Sequence, residues 1–210
     1  MYTIKEIYYT IQGEGFHTGR SAVFVRFSGC NLWTGHEKDR ENAICNFCDT
    51  DFIGTDGPGG GKFQTPNDLV KNIVSKWPSR SKEKRFVVFT GGEPLLQMDE
   101  ELINVLHFNK FEIAIETNGT VKAPKNIDWV CVSPKAGSDL IITKGNELKL
   151  VYPQHGIDPS QYENLNFDHF SLQPMDNENL NENIQKTIKY CHEHPLWRLS
   201  LQTHKFVGIP

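Results

Sequence analysis

Three cysteines, Cys30, Cys45 and Cys48, stand close together in GCNLWTGHEKDRENAICNFCDT (29–50). Cys45 and Cys48, with two residues between them, have the chelating spacing of zinc and iron–sulfur sites. A closed zinc site wants a fourth ligand, for which His36 and Asp49 are the candidates. A three-cysteine iron–sulfur cluster leaves one iron without a protein ligand, open to a small molecule. A disulfide is the third reading. It fits poorly with an odd total of five cysteines and a chain that reads as cytosolic. Cys131 and Cys191 stand alone in apolar or helical patterns and read as packing residues.

Other reactive side chains gather at the ends of apolar runs. RFVVF is followed by TGGEP, EIAI by ETNG, WVCV by SPK, HFSL by QPMD and RLSL by QTHK. In parallel α/β barrels the C-terminal edge of the strands carries the active site. Arg26 lies inside the otherwise apolar VFVRFSG. A charge buried there needs a partner, either a substrate carboxylate gripped by both prongs of the guanidinium or a structural salt bridge. GTDGPGGGKF (54–63) reads as a flexible loop, bordering a site or serving as a lid. It lacks the lysine–hydroxyl ending of a nucleotide P-loop.

Elements must hold these groups. Strands are expected at 22–27, 85–90, 112–117, 129–134, 148–152, 169–174 and 198–202, several of them apolar enough for burial on both faces. Helices are expected at 65–77, opened by Pro66, and at 99–108 and 179–194. Strands alternating with helices predict a parallel α/β sheet. Connections such as that between EIAIET and WVCVSP are too short for a helix, so the barrel should be incomplete and helix-poor. The 210 residues suit one domain, 1–210. A net charge of −4 without basic clusters argues against nucleic acid. No apolar stretch long enough to span a membrane and no leader pattern is read, which places the protein in the cytoplasm.

FSGCNL…CNFCDT together with FVVFTGGEP resembles the radical S-adenosylmethionine (SAM) superfamily. With TIQGEG, GTDGPGGGKF, IAIETNG, VSPKA, TKGNELKLV, QPMD and LQTHKFVGIP, it resembles one family within it, the 7-carboxy-7-deazaguanine synthases. The superfamily's usual motif has three residues between the first two cysteines. Here there are fourteen, an expansion over 31–44 that some members of that family share. The resemblance spans essentially the whole chain.

The resemblance implies a radical SAM barrel and a carbon–nitrogen lyase. Its reaction takes 6-carboxy-5,6,7,8-tetrahydropterin to 7-carboxy-7-deazaguanine and ammonia, a ring contraction of queuosine and 7-deazapurine biosynthesis. It implies a [4Fe-4S] cluster on Cys30, Cys45 and Cys48, and SAM bound by Gly92, Glu93, Ser133, Pro134, Lys135, Gln173, Pro174, Met175 and Asp176. It implies Mg2+ on Thr50, and pterin bound by Ile11, Gln12, Gly13, Glu14, Arg26, Thr90 and the carboxylate of Pro210. No side-chain acid or base is required for the radical step. A flavodoxin- or ferredoxin-like electron donor and a homodimer are implied as partners. A glycyl-radical activase and a zinc-stabilised binding module are the alternative readings.

Overall fold

A computed structural model describes residues 1–78 and 84–210. Along the chain run β1 (Tyr2–Ile11), β2 (Ser21–Phe27), β3 (Gly61–Phe63), α1 (Pro66–Lys76), β4 (Arg85–Gly91), α2 (Glu100–Phe108) and β5 (Phe111–Thr117). Then come β6 (Trp129–Val132), β7 (Lys144–Tyr152), β8 (Asn166–Pro174), α3 (Leu180–Glu193), β9 (Trp197–Leu199) and α4 (Thr203–Val207). One sheet takes the order β3-β1-β2-β4-β5-β6-β7-β8-β9. From β2 to β9 its neighbours are parallel. It is an open, helix-poor partial barrel, as expected. No helix separates β5 from β6 or β6 from β7 among the described residues.

The apolar runs explain the layering. Val23, Val87 and Ile113 pair across three strands, as do Val25, Phe89 and Ile115. They face outward, into a core with Leu69, Ile73, Leu102 and Leu106 of α1 and α2. Each such side chain contributes about 2 kcal/mol by leaving water. A second core joins Leu148, Leu150, Phe170, Leu172 and Trp197, with Tyr190 and Cys191 of α3 packed against it. The alternate residues of the same strands face the barrel interior. Ala22, Phe86, Val88 and Ala114 form a small apolar cluster there. Above it the inward positions turn polar. Helix α1 starts where its sequence says: Thr65 caps it reciprocally with Asp68, and Pro66 opens the first turn.

The two strands at the N-terminal edge differ from the expectation. β1 is ten residues long and antiparallel to β2. Its alternation is obscured because its inner face is polar or aromatic. The glycine-rich stretch is neither a lid nor an open loop. Gly57 N–H donates to the Lys5 carbonyl and Pro58 accepts from Ile7 N–H. Gly61–Phe63 then pairs antiparallel with β1. The stretch therefore caps the sheet edge, on the side of β1 away from β2. The last expected strand ends early, at Leu199. No helix among the described residues is long and apolar enough to cross a membrane.

Candidate active site

The strand ends surround a cavity of about 440 Å³ that runs from the cysteine loop down into the barrel. Cys30, Cys45 and Cys48 line its upper wall, with Thr90, Gly91 and Gly92 at the end of β4 and Ser133 and Lys135 after β6. Gln173, Pro174, Met175 and Asp176 line it after β8. Ile11, Gln12, Gly13, Glu14, Arg26, Thr50 and Pro210 also reach it. Glu93 and Pro134 are not part of its wall.

Gly92 explains the Gly-Gly pair. A Cβ on it would lie 2.0 Å from the Gly29 carbonyl oxygen and 3.0 Å from Cys30 Cβ. The end of β4 therefore packs directly on the backbone that carries the first cysteine, and Glu93 N–H donates to Gly29 O at 2.9 Å. Glu93, expected to touch SAM, is fully buried. Its carboxylate accepts from Leu95 N–H at 3.0 Å, Thr117 Oγ1 at 2.8 Å and Asn118 N–H at 2.8 Å. Burial pushes its pKa up, against those donors. Glu93 thus ties the end of β4 to the end of β5 and fixes the backbone of Asn118, which does line the cavity.

The three thiols fit an iron–sulfur cluster by donor chemistry, since Cys thiolates are its usual ligands. Among the described residues no three or more His, Cys, Asp or Glu side chains converge on a single metal ion. A cubane does not ask for that, because each cysteine binds a different iron. His36 is exposed and does not line the cavity. Asp49 does, but its carboxylate is held by Lys205 at 2.6 Å. A hydrogen bond from Cys45 holds the Cys48 thiol below its ordinary range and drives Cys45 up, with burial adding to the rise. Burial likewise raises Cys30. Lys135, lowered by burial, donates to the Ser133 carbonyl and hydroxyl at 2.6 and 2.7 Å. Its ammonium lies within the field of Cys45 and Cys48. For magnesium the chain offers the Thr50 hydroxyl, 3.5 Å from the Asp49 carboxylate.

The expansion 31–44 forms a short 3₁₀ turn, Glu37–Asn42. Its charges are not merely solvated. Arg40 donates to the carbonyls of Asn46 and Cys48, both at 3.0 Å, and lies 4.1 Å over the Trp33 ring.

Deeper in, Lys149 stands between two carboxylates, 2.7 Å from Glu14 and 3.0 Å from Glu116. Burial opposes the charge on Glu14, but Lys149 outweighs it and holds the carboxyl below its usual range. For Glu116 burial prevails and the pKa rises. Burial would lower Lys149, yet Glu116 and Glu14 keep it well above the ordinary lysine range. Gln12 reaches Glu116 at 3.4 Å and Gln202 reaches Glu14 at 3.1 Å. Arg26 is paired by Glu6 at 2.8 Å and by the Tyr8 hydroxyl at 3.2 Å. Its partner is thus the structural salt bridge, at the edge of the cavity. Sequence reasoning named no role for Lys149, Glu116, Asn118, Gln202, His204 or Lys205, which all line the same space.

The radical SAM superfamily pattern matches residues 40–209. It begins inside the expanded loop, after Cys30. A 7-carboxy-7-deazaguanine synthase of Bradyrhizobium diazoefficiens is 56% identical over 208 residues, 99% of each chain. The chain belongs to the 7-carboxy-7-deazaguanine synthase family. The synthase of Burkholderia multivorans is 54% identical, covering 100% of this chain and 99% of its own. The crystal structure of QueE from Escherichia coli superposes with a TM-score of 0.71 at 26% identity, covering 97% of this chain and 94% of that one. Membership in this family sets aside the activase and zinc-module readings.

Proposed function

We propose that this protein converts 6-carboxy-5,6,7,8-tetrahydropterin to 7-carboxy-7-deazaguanine and ammonia. The observation that carries the reading is one continuous cavity joining the three-cysteine loop to a charged barrel interior, in a chain 56% identical to a synthase over its whole length. The net reaction removes NH3 and is redox-neutral, so the chain must supply placement and shielding rather than an oxidant. When bound, a [4Fe-4S] cluster held by Cys30, Cys45 and Cys48 together with SAM would supply the radical chemistry.

Cys30, Cys45 and Cys48 hold the cluster. Gly92, Ser133, Lys135, Gln173, Pro174, Met175 and Asp176 wall the adjoining SAM space, and Asn118 joins them where Glu93 fixes it. Gln12, Gly13, Glu14 and Thr90 bound the pterin space, with Ile11 at its edge. Arg26, already paired with Glu6, faces it as a shared cation. Carboxylates and amide oxygens there suit a ring edge rich in N–H donors. The Thr50 hydroxyl is the protein ligand of a magnesium ion completed by substrate oxygens and water. Pro210, which lines the same space and whose backbone oxygen accepts from Thr10 Oγ1 at 2.8 Å, brings its carboxylate to the pterin. An external one-electron donor of the flavodoxin or ferredoxin kind and a homodimeric state complete the proposal.

The test is turnover under strict anaerobiosis after reconstitution with iron and sulfide, with SAM, reductant, magnesium and the pterin. Many molecules of deazaguanine per SAM consumed are expected. Release of 5′-deoxyadenosine without deazaguanine would reject the substrate.

A further inference from the structure

We propose that Glu147 is a positioning residue for the pterin: it holds the turn Gln12–Phe16 across the barrel floor, where Gln12, Gly13 and Glu14 meet the substrate. The inference rests on the function proposed above. Glu147 is only 2% exposed and forms no part of the cavity wall, so it acts through the turn and not by contact.

β1 runs down the barrel and β2 runs back up. The segment between them, 12–20, crosses the N-terminal mouth. It is tied at its base by Gln12 N–H to Arg20 O and Gly19 N–H to Gln12 O, both at 2.8 Å. At its middle the Phe16 N–H lies 3.2 and 3.1 Å from the two oxygens of Glu147 on β7. Ser171 of β8 donates to the same carboxylate at 2.7 Å. Gly15 N–H donates to Ser200 Oγ at 2.8 Å. Gly15 has φ +64, and a Cβ there would lie 2.7 and 2.8 Å from the Glu147 oxygens. Only glycine lets the backbone come that close.

Apolar packing does not hold the turn by itself. Phe16 stacks on His169 and Trp129, with centroids 4.3 and 4.9 Å apart, yet it is 47% exposed. A carboxylate buried without need is costly. Here it meets the backbone donor of the residue two after Glu14. Glu14 in turn reaches Lys149, and its N–H donates to Gln12 Oε1 at 3.2 Å. Releasing the anchor therefore moves the pterin-facing groups first; the cysteine loop is linked to Glu14 through the Gln202 amide, which also reaches Asp49 at 3.2 Å, and keeps its own contacts through Arg40.

The experiment compares wild type with Glu147→Ala, Glu147→Gln and Gly15→Ala. It measures KM and kcat for the pterin, SAM cleavage without pterin, and backbone amide exchange over residues 13–17. Glu147→Ala is expected to raise the pterin KM about tenfold, the effect of one lost charge-assisted hydrogen bond, with kcat changed far less. Its pterin-free SAM cleavage should match wild type, and the Phe16 amide should exchange faster. Glu147→Gln keeps an acceptor oxygen and should recover most of the KM. Gly15→Ala, which forces the turn off the carboxylate, should reproduce the Glu147→Ala pattern. An unchanged KM despite a deprotected Phe16 amide would overturn the proposal. So would a parallel fall in pterin-free SAM cleavage, which marks a general structural defect. If Glu147→Ala does not fold, Glu147→Gln and Gly15→Ala decide on the same readouts. A wild type that makes no deazaguanine rejects the function instead, and amide exchange still tests the anchor.

Discussion

At the scale of single residues, Lys149 sets the charge balance of the interior. Its side chain is 6% exposed and serves two carboxylates. Lys149→Met leaves both carboxylates, largely buried at the inner end of the cavity, without that cation. Removing one partner of such a group costs about 3 kcal/mol, read as a lower urea midpoint at neutral pH. The pH dependence has a sign. Glu14 is depressed in the folded chain, so its contribution is present above the ordinary carboxylate range and is lost as pH falls through the depressed value. Glu116 is raised by burial although Lys149 lowers it; without Lys149 its cost as a carboxylate is larger, so acid relieves the variant more than wild type. Both effects narrow the gap between wild type and variant on acidification, and a gap that widened would refute the assignment. Arg26 was visible in the sequence as a charge inside an apolar strand. The same signal marks Lys149 in ELKLVY and Glu147 beside it. Their partners were not visible, because Glu14 precedes Lys149 by more than half of the chain.

At the scale of elements, the expanded cysteine loop is a small folded unit. Arg40 pairs with Glu37 at 2.7 and 2.6 Å and clamps the backbone of the Cys45–Cys48 turn through two carbonyls. Arg40→Met should leave the far-ultraviolet circular dichroism unchanged. It should speed iron loss to a chelator about tenfold, as for loss of charge-assisted hydrogen bonds. Wild-type iron retention would show that the clamp is dispensable. The loop's composition showed a charged turn. Which of its charges closes back on the cysteines depended on how the turn folds over Trp33. The glycine-rich stretch teaches the converse. Its composition suggests freedom, but the glycines serve close approach to β1, and a partner strand is not written in the residues that pair with it.

At the scale of the whole molecule, the open barrel is sealed by its own ends. Thr203 N–H donates to Gly13 O at 2.9 Å, and Lys205 bridges Asp49 and Asp176. Thr10 meets Pro210, 200 positions away in the chain. A C-terminal tag extends the chain from Pro210, which lines the cavity, whereas Met1 is 68% exposed at the opposite end of β1. The C-terminal tag should therefore lower turnover at least about tenfold relative to an N-terminal one, an effect of losing a charge-assisted contact. Equal turnover of the two proteins would remove Pro210 from the site. By itself the sequence determined what local chemistry determines. That covers the seven apolar strand runs, the three helices, the polar strand ends and the three thiols, because periodicity, capping and chelate spacing act over a few residues. Only the tertiary structure decided that β1 runs antiparallel on the edge, that Glu93 faces inward to Thr117 and Asn118, and that Glu14, Glu116 and Lys149 share one buried space. Those outcomes follow from strand register and barrel closure, which bring together groups far apart in the chain and whose partners no local pattern encodes.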